Sequence, residues 1–185
     1  LKDIDFELKK NKFKAISELK ISSYTLKSRY DDLDTSLIKK LLQQILPMKI
    51  RAKILNVLSQ RYLDMNMREF AKELYMNETQ LKELYMNKMH IGSHGEFHYR
   101  WGKLNEQQQE AEIINPIKFF KNLKFDTKNL SVCYPYGSYN KTTLKLVKKA
   151  KFKFGITTEV GIIGEENLKN KFSLKRLNAN DFLNV

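Results

Sequence analysis

The spacing of the apolar residues changes at Met89, and this change constrains the fold more than any other feature of the chain. Upstream, apolar residues recur at helical intervals: Phe6, Phe13, Ile16 and Leu19 in DFELKKNKFKAISELK, then Leu37, Ile38, Leu41, Leu42 and Ile45 in SLIKKLLQQIL. Pro47 closes the second run. MKIRAKILNVLSQRYL then carries Ile50, Ile54, Val57 and Leu58 on one stripe, and REFAKEL and ETQLKELYMN follow, the last with Asn77 as its predicted N-cap. Downstream, short apolar runs alternate with helical stretches. MHIGS, LSVCYP and FGITT read as strands, while NEQQQEAEIINPIKFFKNL, which Pro116 is expected to kink, and NKTTLKLVKKA read as helices. Strands alternating with helices predict parallel β/α units. The expected organisation is a helical region over 1–88 and a β/α region over 89–185, together one domain of the α/β class.

With 185 residues, 42% of them hydrophobic, the chain is long enough to enclose one core. Its single cysteine, Cys133, excludes an intrachain disulfide. No apolar run approaches the roughly 18 residues that would read as a membrane span. The compartment and the oligomeric state are left open. The first residue is Leu, as expected of a processed product or a piece of a longer protein. Lysine and arginine number 34 against 21 acidic residues, a net charge of +13 that would attract nucleic acid, phospholipid headgroups or an acidic glycan. The lysines, however, are spread through every segment in pairs such as Lys9-Lys10, Lys39-Lys40 and Lys148-Lys149. That distribution suits the wet faces of helices and does not suit a nucleic-acid surface, which concentrates its charge among aromatics.

Parallel sheets carry their chemistry at the C-terminal ends of the strands. Three polar or glycine-bearing clusters stand at predicted strand exits: the histidines after MHIGS, YPYG after LSVC, and TTEVG after FGI. His94, Tyr136 and Thr157 are therefore expected on one rim. All three histidines of the chain, His90, His94 and His98, fall within nine residues, beside Ser93, Gly92, Gly95 and the single tryptophan, Trp101. On a helical turn His94 and His98 would emerge from one face about 6 Å apart along the axis. Two imidazoles so placed can share one divalent ion, zinc first, with cobalt or nickel as substitutes. The same spacing also occurs on ordinary surface helices; Gly92 and Ser93, which favour a tight strand-to-turn transition, add weight to the metal reading. His90, inside the predicted strand, is read as structural. The acidic stretch RYDDLD, with Asp31, Asp32 and Asp34, precedes an amphipathic helix, where carboxylates favour the N-terminal dipole and Asp34 is a candidate cap. It follows no apolar run, so it is not read as a source of the third metal ligand.

Taken in series, IGSHGEFH, VCYPYGSYN and FGITTEVG resemble the polysaccharide deacetylase family, the metal-dependent sugar N-deacetylases related to chitooligosaccharide deacetylases, over roughly Met89 to Asp181. The resemblance implies an irregular parallel (β/α) barrel of fewer than eight strands, here partial and joined to the helical region. It implies a divalent metal, zinc by preference, and a metal-bound water that attacks the acetamide of an amino sugar in a bacterial-type surface polysaccharide. His94 and His98 match the family's ligand histidines. Tyr136 matches the residue whose backbone N–H helps to hold the oxyanion, and Tyr134, Pro135, Gly137 and Trp101 are the expected substrate-binding positions. YPYG would also serve as a plain turn after a strand, but that would leave its partnership with the histidines without a reason.

The family's Thr-Phe-Asp-Asp-Gly strand, source of the base and the third ligand, has no counterpart in the sequence, and no histidine follows His98. Arg176 and Asp181, near the place of the family's final motif, are read as surface residues. The expectation is half of a metal site in an open barrel with an unpaired edge, unable to deacetylate by itself. The competing reading is a non-catalytic glycan-binding domain of the same family that stacks sugars on Tyr134, Tyr136, Tyr139 and Trp101; a nucleic-acid binder ranks third.

Overall fold

The computed structural model describes residues 1–19, 21, 31–63 and 66–182, and of residues 180 and 181 the backbone alone. It comprises two compact units, Leu1–Met76 and Asn77–Val185.

The first unit is helical: α1 (Lys2–Lys10), α2 (Leu33–Lys40) running into a π-helical turn at Leu41–Ile45, α3 (Met48–Tyr62) and α4 (Met67–Leu74). Ile4, Leu8, Leu46 and Ile54 form its core. The helix expected across DFELKKNKFKAISELK is shorter than its spacing suggests. It ends at Lys10, Lys12 adopts a left-handed φ of 54°, and only a 3-10 turn, Ile16–Glu18, follows. The inward face carries Ile4 and Leu8, four residues apart, and Phe6 is exposed. Lys20, at the end of that stretch, and SSYTLKSR over 22–29 lie outside the described residues.

Asp32, two residues before the expected Asp34, caps α2. It accepts from the Thr35 N–H at 2.7 Å and the Thr35 hydroxyl at 2.9 Å. These donors hold the Asp32 carboxyl below the ordinary carboxylate range. Asp31 pairs with Lys39 at 2.6 Å, and Asp34 stands in the first turn.

The second unit opens with α5 (Glu78–Met86), whose cap Asn77 exchanges bonds with Gln80 as its sequence predicts. Three parallel strands follow, β1 (Ser131–Cys133), β2 (Phe154–Val160) and β3 (Leu174–Arg176), side by side in the order β1-β2-β3. Helix α6 (Glu106–Asn122) precedes β1, α7 (Lys141–Lys149) joins β1 to β2, and α8 (Glu165–Leu168) joins β2 to β3. Strands laid down in sequential order with a helix between each pair wind in one direction, which is how a parallel β/α barrel is built. The fold is thus the α/β class anticipated, a partial barrel sheet.

The MHIGS strand is reduced to a single parallel bridge, Ser93 to Val132. The Ser93 N–H donates to the Ser131 carbonyl and the Cys133 N–H to the Ser93 carbonyl, both at 2.9 Å. Among the described residues this segment has a strand neighbour on its β1 side only, so half of a central strand's ladder bonds are not made. β3, only three residues long with Leu174 buried, was not anticipated.

The core of this unit gathers Trp101, Ile113, Val132, Tyr134, Val147 and Phe172. Helix α6 turns Gln109, Glu112, Ile113, Pro116, Ile117 and Phe120 inward and continues through Pro116. Tyr134 is 1% exposed; its hydroxyl donates to the Phe172 carbonyl at 2.7 Å across Gly155, where any Cβ would strike the phenol. Burial pushes that phenol far above its ordinary range. None of the helices described is long and apolar enough to cross a membrane.

Candidate functional site

The loop after Ser93 and the turn after Cys133 leave adjacent strand ends, and their side chains meet. The His94 and His98 ring centroids lie 4.7 Å apart at 64°, and His98 lies 4.7 Å from the Tyr136 ring, again edge to face. The Arg100 guanidinium sits 4.2 Å from the centroid of the same Tyr136 ring, a cation–π contact.

No helical turn brings the two histidines together. Gly95 and His98 take positive φ values of 84° and 57°, and the loop folds back on itself. Tyr136 shares the φ of 57° inside the 3-10 turn Pro135–Gly137. Left-handed backbone is uncommon for residues with a side chain, and here two such residues touch through their rings, strain concentrated at one place.

His94 Nδ1 lies 2.7 Å from the Cys133 carbonyl oxygen. A carbonyl can only accept, so Nδ1 carries the proton and Nε2 keeps its lone pair for a ligand, the usual outer-shell arrangement of a metal-binding histidine. Burial, and then the neighbouring His94, lower the pKa of His98, so its imidazole is neutral near pH 7. A neutral imidazole is the form that metal binding requires of His98. Burial also pushes the Cys133 thiol up.

In the PYG turn, Gly137 and Ser138 donate to the carbonyls of Tyr134 and Pro135 at 2.9 and 3.0 Å. The Tyr136 N–H belongs to the opening turn, which has no carbonyl of its own to give it. Gly137 holds a φ of 64°, and a Cβ there would run into the Thr158 side chain. Gly137→Ala should therefore cost about 2 kcal/mol or more, a left-handed penalty plus an overlap, read as a lower denaturant midpoint. A midpoint equal to the parent's would show that the turn yields freely.

Other nominated residues are placed differently. Trp101 is 0% exposed and Tyr134 1%, and Pro135 is buried. Trp101 packs edge-on against Tyr134 at 5.9 Å, so both are core, and neither offers a face on which a sugar could stack. Their apolar bulk is satisfied within the core of this unit. Thr157 is buried within β2, its hydroxyl donating to the Leu174 carbonyl at 3.1 Å; Thr158 is the residue of β2 that meets the PYG turn. His90 lies three residues before the bridge, 2.9 Å from the Ser131 hydroxyl, and takes no part in the His94–His98 contact. Arg176 is exposed, and the Asp181 side chain lies outside the described residues.

Among the described residues, no three His, Cys, Asp or Glu side chains converge as a metal site. Glu96 accepts from the Asn115 amide at 2.7 Å. A cleft of about 390 Å³ lies between that loop and α6, walled by His94, Glu96, Asn115 and Phe119. A hollow of about 490 Å³ at the N-terminal end of the strands, lined by Tyr85, Met89, His90 and Asp126, is larger but has none of the paired groups of the opposite rim.

One residue that sequence reasoning missed is Glu112. It is 3% exposed, and its carboxylate accepts from the Phe97 N–H at 3.2 Å and from Trp101 Nε1 at 3.3 Å, tying both sides of the histidine loop to α6. Its signal was present: Glu112 falls on the inward spacing 109, 112, 113, 116, 117, 120, where a charge needs a partner.

Residues 30–155 match the sequence profile described as polysaccharide deacetylase. Over 87 residues the chain is 36% identical to YxkH of Bacillus subtilis (strain 168), a protein named as a polysaccharide deacetylase. That match takes in 47% of the chain and only 31% of the relative. The fold is similar to that of the Streptococcus pyogenes deacetylase PplD, solved in complex with acetate, with a TM-score of 0.52 and 27% identity over 60% of this chain and 49% of that one. The chain thus spans less than half the length of each of these relatives.

Proposed function

The chain belongs to the polysaccharide deacetylase family, and from that premise we propose that it takes part in hydrolysing N-acetyl groups of amino sugars in a surface polysaccharide, with His94 and His98 holding a divalent cation. The observation that carries the reading is the pairing of the two imidazoles at 4.7 Å, one of them fixed in the ligand tautomer by a main-chain carbonyl. Two nitrogen donors suit zinc first. Held by His94 and His98, such a cation would supply Lewis-acid chemistry for the hydrolysis of an amide.

The chain's own residues supply position and charge stabilisation. His94 and His98 approach from the loop, and the strand end at Cys133 fixes the direction of His94. Tyr136 contributes its backbone N–H, which is suited to donate to the acetamide oxygen as negative charge builds on it. Its left-handed φ sets the direction of that N–H in advance. No carboxylate of this chain is assigned as the general base. The burial of Trp101 and Tyr134 takes away two of the surfaces on which a purely sugar-binding reading relied.

The test is acetate release from N-acetylglucosamine oligomers with zinc added, measured for the chain and for any longer product of the same coding region, alongside zinc titration. Zinc should bind, and release should vanish in His98→Ala. Zinc binding or turnover that survives the loss of both His94 and His98 would defeat the proposal.

A further inference from the structure

The histidine loop carries a second exposed feature. Phe97, between Glu96 and His98, is 60% exposed, and its ring stacks on that of Tyr99 with centroids 5.5 Å apart and planes 23° from parallel. What sets this ring apart from a singly exposed side chain is that it is backed by a second aromatic and its backbone is held: both Glu112 carboxylate oxygens accept from the Phe97 N–H at 3.2 Å. The next residue, His98, is left-handed, and its ring points to His94 and Tyr136. The loop therefore presents two things from consecutive residues: an imidazole to the paired centre, and a flat, backed aromatic face to solvent.

We propose that Phe97, backed by Tyr99, is a stacking shelf for a pyranose ring of the glycan next to the sugar being deacetylated. A pyranose has one face of polarised C–H groups, which the electron-rich face of an aromatic ring attracts while the hydroxyls stay in water. Tyr99 keeps the Phe97 ring from rotating away, so little side-chain entropy remains to be lost on binding. The inference rests on the deacetylase reading and deepens it: the substrate is a chain of sugars, gripped on at least one neighbour, and a lone acetylated monosaccharide leaves the shelf empty.

The probes are the N-acetylglucosamine tetramer and monomer, titrated calorimetrically into the zinc-supplied chain. Phe97→Ala should weaken tetramer binding about tenfold, toward the low end of the range for a nucleobase stacked on an aromatic side chain. Monomer and zinc affinities should not change, and Phe97→Trp should keep tetramer affinity at or above the parent's. Phe97 holds Glu112 through its main chain, so both variants keep that bond. Equal tetramer affinity in the parent and Phe97→Ala, or no tetramer binding by the parent, overturns the shelf. Failure of the underlying reading would show elsewhere, as zinc binding indifferent to His94 and His98.

Discussion

Trp101→Ala should destabilise the Asn77–Val185 unit by about 3–5 kcal/mol, the usual cost of truncating a fully buried large aromatic. Trp101 is 0% exposed, packs on Tyr134 at 5.9 Å, and gives its indole N–H to Glu112 at 3.3 Å. Truncation opens a void against the sheet and takes a donor from a buried carboxylate, so two penalties coincide. Trp101→Phe separates them. Its ring refills most of the space, and the remaining loss of about 1–3 kcal/mol belongs to the donor that the buried Glu112 carboxylate loses, which leaves it the Phe97 N–H. Denaturant midpoints for the two variants check this. A Trp101→Ala protein as stable as the parent would mean that the tryptophan faces a ligand after all.

His94→Ala should lower zinc affinity by on the order of a hundredfold or more, since loss of a mere outer-shell partner already costs ten- to a hundredfold. His90→Ala should leave it unchanged, because that ring is engaged with the Ser131 hydroxyl and takes no part in the His94–His98 contact. Titration calorimetry of the two variants reads the difference. Equal losses would mean that the division of roles among the three histidines is wrong.

The fold class could be read from the sequence because periodicity is a backbone property that packing reinforces. Helix α6 shows this with its inward set from Gln109 to Phe120, and the cap at Asn77 follows the same logic. Elements that depend on a neighbour could not be read. MHIGS has strand composition, yet its pairing is one bridge, since extended backbone needs partners as well as propensity. β3 is too short to show an alternation. At the site, the nearness of His94 and His98 was visible in their spacing, but its cause was not, since it depends on positive φ at Gly95 and His98 and not on a helix. The burial of Trp101 and Tyr134 was not legible in the sequence, for a common reason. Aromatics beside a motif look available to a ligand in one dimension, and only the folded sheet shows that they have already been used as core.

The acceptor that fixes His94 is the carbonyl of Cys133, part of the main chain and not of any side chain. No substitution at 133 deletes it as long as β1 keeps its register with β2. Orientation of the histidine is thus inherited from the sheet itself, and the residue type at 133 is released from that duty. An engineer could exchange the chain's one oxidisable thiol for an alcohol and leave the imbalance between the two ring nitrogens of His94 where it is. The same independence lets sequences drift at this strand exit while keeping the histidine aimed.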